Sequence, residues 1–146
     1  MKIVIGKLPR GVKIKNTMTE YQRVTKKCDK LWADIIKNKA GWICEWCGKT
    51  KIQVMMNAAH IIRRGNKSTR WDIRNGLCLC VGCHYRFDNS GNRGDVLEWL
   101  EGRIGRKLLK ELTILGREGK QWLVNDLRAV KERLEIEHKK IQTNYD

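Results

Sequence analysis

Two pairs of cysteines constrain the fold of this chain more than any other feature. Cys44 and Cys47 form one Cys-x-x-Cys pair, and Cys80 and Cys83 form a second pair about 33 residues later. Two intervening residues let both sulfurs of a tight turn reach one ion, and four thiolates complete a tetrahedral zinc site. A redox Cys-x-x-Cys would not require the second pair. The spacing therefore predicts a structural zinc ion that joins two distant parts of the chain.

The chain has six cysteines in all, and an even number would also allow three disulfides. The apolar stretch at the amino terminus is too short for a signal peptide, so we expect a cytoplasmic protein with reduced thiols. No apolar run approaches the ~20 residues that a membrane span needs. Cys28 and Cys78 are then expected to be buried thiols rather than ligands.

Positive charge is concentrated in the first two thirds of the chain. The 146 residues include 31 Lys and Arg against 16 Asp and Glu, a net charge of +15. Residues 1–40 hold 11 basic and 3 acidic side chains, and residues 41–94 hold 9 and 3, whereas residues 95–146 hold 11 and 10. This asymmetry favours a polyanionic partner such as a nucleic acid. A basic surface that only keeps the protein soluble is the alternative.

The pattern divides the chain into four segments and predicts an α+β fold. Residues 1–16 form a basic arm, and residues 17–41 contain an amphipathic helix capped by a threonine and stopped by Gly41. Residues 42–94 form a core with both cysteine pairs, and residues 95–146 form a helical segment that packs on the core or forms a dimer seam.

Short strands and helices are expected within these segments. A strand or hairpin within residues 51–62, with Ile52, Gln53 and Val54 leading into it, ends near His60, and Leu77–Leu79 form a second strand. A short helix follows from Val81 or Gly82 to about Asn89. The carboxy-terminal segment is expected to contain three amphipathic helices, over Asp95–Ile104, Lys107–Leu115 and Gln121–Ile141.

Three polar residues occur in a characteristic order around the cysteine pairs. His60 ends the first strand, Asn75 precedes the second, and His84 directly follows the last cysteine, in the stretch NGLCLCVGCH. This arrangement resembles the HNH endonucleases, which have the ββα-metal fold. It is most similar to the zinc-bearing branch of that family. The resemblance covers about residues 42–90. A closer likeness is to small phage-type HNH nucleases, including the NinG (Rap) recombination endonucleases, which share the Arg-Trp-Asp element at residues 70–72 and a lysine-rich helix before the first pair.

The resemblance implies a metal-dependent DNA endonuclease that leaves 5′-phosphate and 3′-hydroxyl ends. His60 would be the general base, since a neutral imidazole can take a proton from water near pH 7. Asn75 would hold the loop that orients His60, and His84 would bind a divalent cation such as Mg²⁺, Mn²⁺ or Ni²⁺. Asp88 occupies the place where many relatives have a further metal-binding histidine. A phage-encoded enzyme would act in the bacterial host cell in recombination or DNA packaging, and branched DNA would suit it.

One position departs from the family pattern. Ala59 stands where many members have a metal-binding aspartate or histidine before the catalytic histidine. Asn57, two residues earlier, would point to the same face of a strand as Ala59, and we expect its side-chain carbonyl oxygen to serve as a replacement ligand. A non-catalytic zinc-knuckle DNA-binding module with a decayed site is therefore the alternative function, and an RNA-directed enzyme also remains open.

A basic loop separates the two catalytic segments. Its cations are expected to grip the DNA phosphate backbone without reading sequence, although a solvated loop is the alternative. Trp71 is expected to pack under this loop. A homodimer would let two sites cut opposing strands, but the sequence does not demand one. The predicted DNA-binding residues are Arg63, Arg64, Lys67, Arg70 and Arg74.

Overall fold

The computed structural model describes residues 17–144, and within them the fold is α+β, as the sequence predicted. The expected basic arm of residues 1–16 lies outside the described residues. Within this range one antiparallel pair of strands packs with five helices, none of which is long and apolar enough to cross a membrane. The elements are α1 (Glu20–Lys39), β1 (Met56–His60), β2 (Gly76–Cys80), α2 (Val81–Asn89), α3 (Arg93–Ile104), α4 (Arg106–Gly116) and α5 (Val124–Thr143), with a short 3₁₀ turn at Ile73–Asn75 before β2.

Helix α1 begins and ends close to where its sequence predicts. The Thr19 hydroxyl accepts the backbone N–H of Gln22 at 3.2 Å, and the Gln22 side chain accepts the N–H of Thr19 at 2.9 Å. This reciprocal pair satisfies two donors that the first turn leaves free. The helix ends before Gly41, whose φ of 61° is a conformation that glycine adopts without strain.

The hairpin is in register from Met56 opposite Cys80 to His60 opposite Gly76. The interpretation of Ile52–Val54 as β structure is wrong, because these residues form turns in which the N–H of Val54 bonds to the carbonyl of Thr50 at 3.2 Å. Strand β2 passes directly into α2 after Cys80, so residues before Met55 have no partner strand to extend the ladder.

The carboxy-terminal helices are close to their predicted positions, but α5 begins three residues later than expected. Trp122 lies outside the helix because its indole N–H donates to the Lys67 carbonyl at 3.0 Å and its ring packs edge-on against Trp71. These contacts hold residue 122 against the basic loop rather than in the first turn of α5.

Two apolar clusters pack around the hairpin. The knuckle-side cluster joins the hairpin to the first cysteine pair, α2 and α3, and the helix-side cluster joins α1 to α5 and the basic loop. Buried members of the knuckle-side cluster include Met56, Ala59, Leu77, Leu79, Phe87, Val96 and Leu100. Buried members of the helix-side cluster are Cys28, Trp32, Ile35, Ile36, Trp71, Leu127, Val130 and Leu134.

Candidate active site and metal centre

The four predicted zinc ligands converge on one point. The Sγ atoms of Cys44, Cys47, Cys80 and Cys83 all lie within 4.8 Å of one another, and those of Cys47 and Cys80 are 3.7 Å apart. A tetrahedral site with Zn–S bonds of about 2.3 Å places its sulfurs about 3.8 Å apart. The cluster therefore has the composition and the dimensions of a zinc site.

Local backbone geometry explains why these sulfurs meet. In the first pair, the N–H of Gly48 donates to the Cys44 carbonyl at 2.9 Å, and Gly48 takes a φ of 76° that closes the turn. The second pair spans the junction of β2 and α2, where Cys80 is the N-cap and its sulfur accepts the N–H of Cys83 at 3.5 Å. The end of β2 and the first turn of α2 thus deliver two of the four ligands.

Within the cluster, the thiol of Cys44 differs in pKa from the two cysteines outside it, whereas burial and the neighbouring thiols raise the pKa of Cys83. Burial raises the pKa of Cys44, but the backbone N–H groups of Cys47 and Cys80 outweigh this effect and lower its pKa to about 7, which favours the thiolate that a metal binds. Burial raises the pKa of Cys28 and of Cys78 to about 11, and neither side chain is exposed. Both are buried thiols, as predicted.

The ring of His60 is fixed in a defined tautomer at the end of β1. Its Nε2 lies 2.9 Å from the Arg70 carbonyl oxygen, and because a carbonyl can only accept, Nε2 carries the hydrogen. The lone pair is therefore on Nδ1. The ring stacks on Trp32 with centroids 3.9 Å apart and planes at 10°. Burial lowers the pKa of His60 below its usual value of 6.5, so the ring is neutral at pH 7.

Asn75 is fully buried and joins the end of β1 to the basic loop. Its side-chain oxygen accepts the N–H of Ile62 at 2.7 Å, and its side-chain nitrogen donates to the carbonyls of Ile62 at 3.1 Å and Thr69 at 3.0 Å. Thr69 immediately precedes Arg70, whose carbonyl bonds to His60. The geometry thus gives Asn75 the means to hold the loop that orients the histidine.

Two of the three predicted ligands of a catalytic cation, His84 and Asp88, lie together, and Asn57 contacts the other nitrogen of the His84 ring. His84 Nε2 is 3.2 Å from a carboxylate oxygen of Asp88 one turn later in α2, and His84 Nδ1 is 3.2 Å from the amide nitrogen of Asn57 on β1. Two adjacent ligands of an octahedral ion with bonds of about 2.1 Å lie about 3.0 Å apart, so His84 and Asp88 fit a divalent cation. Asn57 lies on the other side of the ring, where it orients His84. Ala59 is buried in the knuckle-side cluster and offers no ligand.

One cleft of about 510 Å³ brings the two histidines together. Its lining includes His60 from β1 and His84 and Asp88 from α2, with the exposed Arg63 and Arg64 from the basic loop. Sequence reasoning missed several further lining residues, among them Asp29 and Trp32 of α1 and Arg93 of α3. An acidic residue among the lysines at positions 26, 27 and 30 of α1, one turn before a tryptophan, was the signal that the sequence offered for the first two.

The five cations of the basic loop have different surroundings. Arg70 forms a bidentate pair with Asp29, and Arg74 bonds to Asp72 and Glu111. Arg63, Arg64 and Lys67 are exposed, although Arg64 also reaches Asp29 at 2.7 Å. Trp71 is buried beneath the loop, as predicted. Arg63, Arg64 and Lys67 are therefore the loop cations best placed to meet a phosphate backbone.

Comparison with known proteins agrees with this geometry over one part of the chain. The model of a family described as HNH endonuclease matches residues 44–90, about a third of the chain. No curated protein matches the chain, and no solved structure does. The matched residues contain both cysteine pairs, the hairpin, α2 and both cleft histidines. The segment from residue 44 to residue 90 is therefore similar to the HNH endonuclease family.

Proposed function

We propose that this protein is a metal-dependent DNA endonuclease, a phosphodiester hydrolase whose general base is His60. The observation that carries the proposal is the shared cleft, in which a neutral histidine with a free Nδ1 lone pair lies alongside the His84–Asp88 pair. A site for hydrolysis of a phosphodiester needs a base for water and a means of stabilising charge at phosphorus. Both are available from side chains of one cleft.

The chain's own residues account for the positioning and proton-transfer steps. Nδ1 of His60 takes a proton from the attacking water as the bond from its oxygen to phosphorus forms and the bond from phosphorus to the 3′ oxygen breaks, and the departing 3′ oxygen takes a proton from a water molecule. The Arg70 carbonyl accepts the hydrogen on Nε2 and so keeps Nδ1 free to act. A divalent cation such as Mg²⁺, Mn²⁺ or Ni²⁺ at His84 and Asp88 would supply Lewis-acid stabilisation of the phosphoryl and leaving oxygens.

The cysteine cluster and the loop have supporting roles in this proposal. Zinc at the four cysteines fixes the hairpin and the start of α2, and thereby the separation of His60 from His84. Exposed Arg63, Arg64 and Lys67 hold the DNA by its phosphates, which gives affinity without sequence preference. We further propose that the products carry 5′-phosphate and 3′-hydroxyl ends. A phage enzyme of recombination or DNA packaging, acting on branched DNA as a homodimer, is the biological setting that the sequence resemblance favours.

A non-catalytic DNA-binding module is the second candidate, and one observation favours it. Ala59 replaces the usual ligand before the catalytic histidine, and its position is buried among apolar neighbours rather than open to the cleft. The cation would then depend on His84, Asp88, water and the DNA phosphate. A module of this kind would bind DNA through the same loop and would tolerate the loss of His60.

Nicking of supercoiled plasmid distinguishes the two functions. Wild-type protein is incubated with Mg²⁺, Mn²⁺ or Ni²⁺, with EDTA as a blank, and compared with His60→Ala. We expect the variant to lose about 10²–10⁴-fold in rate, the usual contribution of a general base. Because His138 lies on α5 and does not line the cleft, His138→Ala is the matched control and should cleave like wild type.

Zinc content and DNA affinity are measured on the same preparations. A His60→Ala protein that retains zinc and binds DNA but does not nick it supports the endonuclease. Equal nicking by His60→Ala and wild type would contradict the role of His60, and DNA binding without nicking by any preparation would favour the binding module.

A further inference from the structure

One carboxylate on α1 holds two consecutive residues of the basic loop. Asp29 accepts Trp71 Nε1 at 2.9 Å and Arg70 Nε at 3.0 Å on Oδ1, and Arg70 Nη2 at 2.7 Å on Oδ2. Arg64 adds a further bond to Oδ2 at 2.7 Å. Burial alone would raise the pKa of Asp29, but the bonds from Arg70 and Trp71 and the charge of Arg64 hold its pKa below the usual range. The carboxylate is therefore ionised at neutral pH.

These bonds act on the peptide group that orients His60. The Arg70 carbonyl, which accepts the hydrogen on His60 Nε2, belongs to the peptide bond between Arg70 and Trp71. The side chains on both sides of that peptide bond thus donate to one carboxylate. The bonds to Asp29 therefore restrain the chain on both sides of this carbonyl.

A second residue of α1 completes this attachment. Trp32, one turn after Asp29, donates its indole N–H to the Asp72 carbonyl at 2.9 Å and stacks its ring on His60. Loop residues 70, 71 and 72 are therefore all held by α1, and Thr69 is held separately by Asn75. Helix α1 lies outside the residues that match the HNH family.

We infer that Asp29 is a positioning residue for the general base, acting through the Arg70 carbonyl to hold His60 with Nδ1 free. The inference rests on the proposed endonuclease function. It also explains the presence of a carboxylate in a cleft built to receive phosphates, where a negative charge weakens DNA binding. Replacing a residue that weakens DNA binding and supports the general base should lower the turnover without lowering the affinity for DNA.

Asp29→Asn and Asp29→Ala test this inference, with Asp34→Asn as the matched control. Asp34 lies on the same helix and pairs with Lys37 at 3.4 Å, and it does not line the cleft. We expect the Asp29 variants to nick saturating DNA about 10–100-fold more slowly, the scale of loss that a small misplacement of a catalytic group produces. Their DNA dissociation constants should be unchanged or lower, because Arg64 and Arg70 are released, and Asp34→Asn should behave like wild type in both measurements.

The tautomer of His60 gives a readout that needs no activity. Nitrogen-15 NMR of the ring should find Nε2 protonated in the wild type and in Asp34→Asn, and a mixture of both tautomers in Asp29→Ala. Unchanged turnover together with an unchanged tautomer would overturn the inference. A parallel loss of turnover, DNA affinity and thermal stability with the tautomer retained would also overturn it, since Asp29 would then act only through folding.

Different results would contradict the endonuclease function and the positioning role of Asp29. If wild-type protein does not cleave DNA, the endonuclease is wrong, and the NMR comparison still decides whether Asp29 sets the tautomer of His60. If wild type cleaves and Asp29→Ala cleaves equally with the same ring tautomer, the endonuclease stands and the positioning role is wrong.

Discussion

On the knuckle side of the β1–β2 hairpin four cysteine sulfurs converge within 4.8 Å, whereas on the helix side the ring of His60 lies between Trp32 and the Arg70 carbonyl. The first arrangement is suited to a metal ion and lies wholly within the family-matched residues. The second depends on a helix that precedes them. The comparison shows that the groups that orient a reacting side chain can come from outside the segment that carries the family motif.

The two sides also differ in how they tolerate change. A metal site requires a fixed number of ligands at fixed distances, so the loss of a ligand pair removes it altogether. The helix side is held by apolar packing and several hydrogen bonds, so the loss of one contact displaces the ring without dismantling the fold. The predictions below disturb each side in turn.

Removing the first cysteine pair should have the largest effect. In the double variant Cys44→Ala and Cys47→Ala we expect zinc to be lost, and with it most of the stability of the hairpin and α2. Structural zinc contributes roughly 10–16 kcal/mol of apparent binding free energy in small zinc-finger peptides, comparable with the whole stability of a typical domain. Zinc stoichiometry and urea unfolding measure the effect.

Cys28→Ala is the control on the helix side. Its thiol is buried and donates to the Leu127 carbonyl at 3.6 Å, so its loss should cost about 1–2 kcal/mol and leave zinc content unchanged. Full zinc content in the double variant would contradict the assignment of these ligands.

Gly76→Ala should disturb the helix side to a smaller extent. Gly76 pairs with His60 across the hairpin, and a Cβ there would lie 2.4 Å from Ile36 Cδ1 and 2.8 Å from Trp32 Cζ2. Helix α1 would have to move, which we expect to reduce the free energy of unfolding by about 1–3 kcal/mol and to slow cleavage while zinc is retained.

Gly102→Ala on α3 is the counterpart on the knuckle side. Apart from its two chain neighbours and the nearby backbone of α3, no atom of the described residues lies within 4 Å of the position that a Cβ would take at Gly102. Because alanine also favours helix, stability should rise by up to about 1 kcal/mol. Equal stability of Gly76→Ala and wild type would show that the contact of α1 with the hairpin is loose.

A change of pH near neutrality should have the smallest effect on the cleavage rate. Burial lowers the pKa of His60, the Arg70 carbonyl and Asp29 partly oppose this, and Arg64 and Arg70 add to the lowering. The neutral ring is the active form, so the cleavage rate should fall as pH drops through a midpoint below 6.5 and be nearly flat above pH 7. A midpoint near pH 8 in the single-turnover rate would indicate that a different group limits the reaction.

Much of the knuckle side was predictable from the sequence, because its chemistry depends on spacing. Two Cys-x-x-Cys pairs and the Asn75–His84 stretch predicted the four-sulfur cluster and the start of α2. The strand interpretation of Ile52–Val54 failed because β propensity cannot show that β2 has no residues left to pair with them.

The helix side was only partly predictable. The apolar spacing of α1 predicted its buried stripe, including Trp32, but not that this tryptophan would stack on His60. The role of Asp29 depends on where residues 64, 70 and 71 return in space, 35 or more residues later. Arg70 and Arg74 resemble free cations in the sequence, and their ion pairs appear only in the fold.

A double-mutant cycle tests most directly whether the two sides of the hairpin form one active site. Single-turnover cleavage is measured for His60→Ala, His84→Ala and the double variant, each checked for zinc content. Groups that act together in one chemical step have strongly non-additive effects. The double variant should therefore cleave no more than a few-fold more slowly than the slower single variant. Losses that multiply, or a His84→Ala protein as active as wild type, would contradict a shared site.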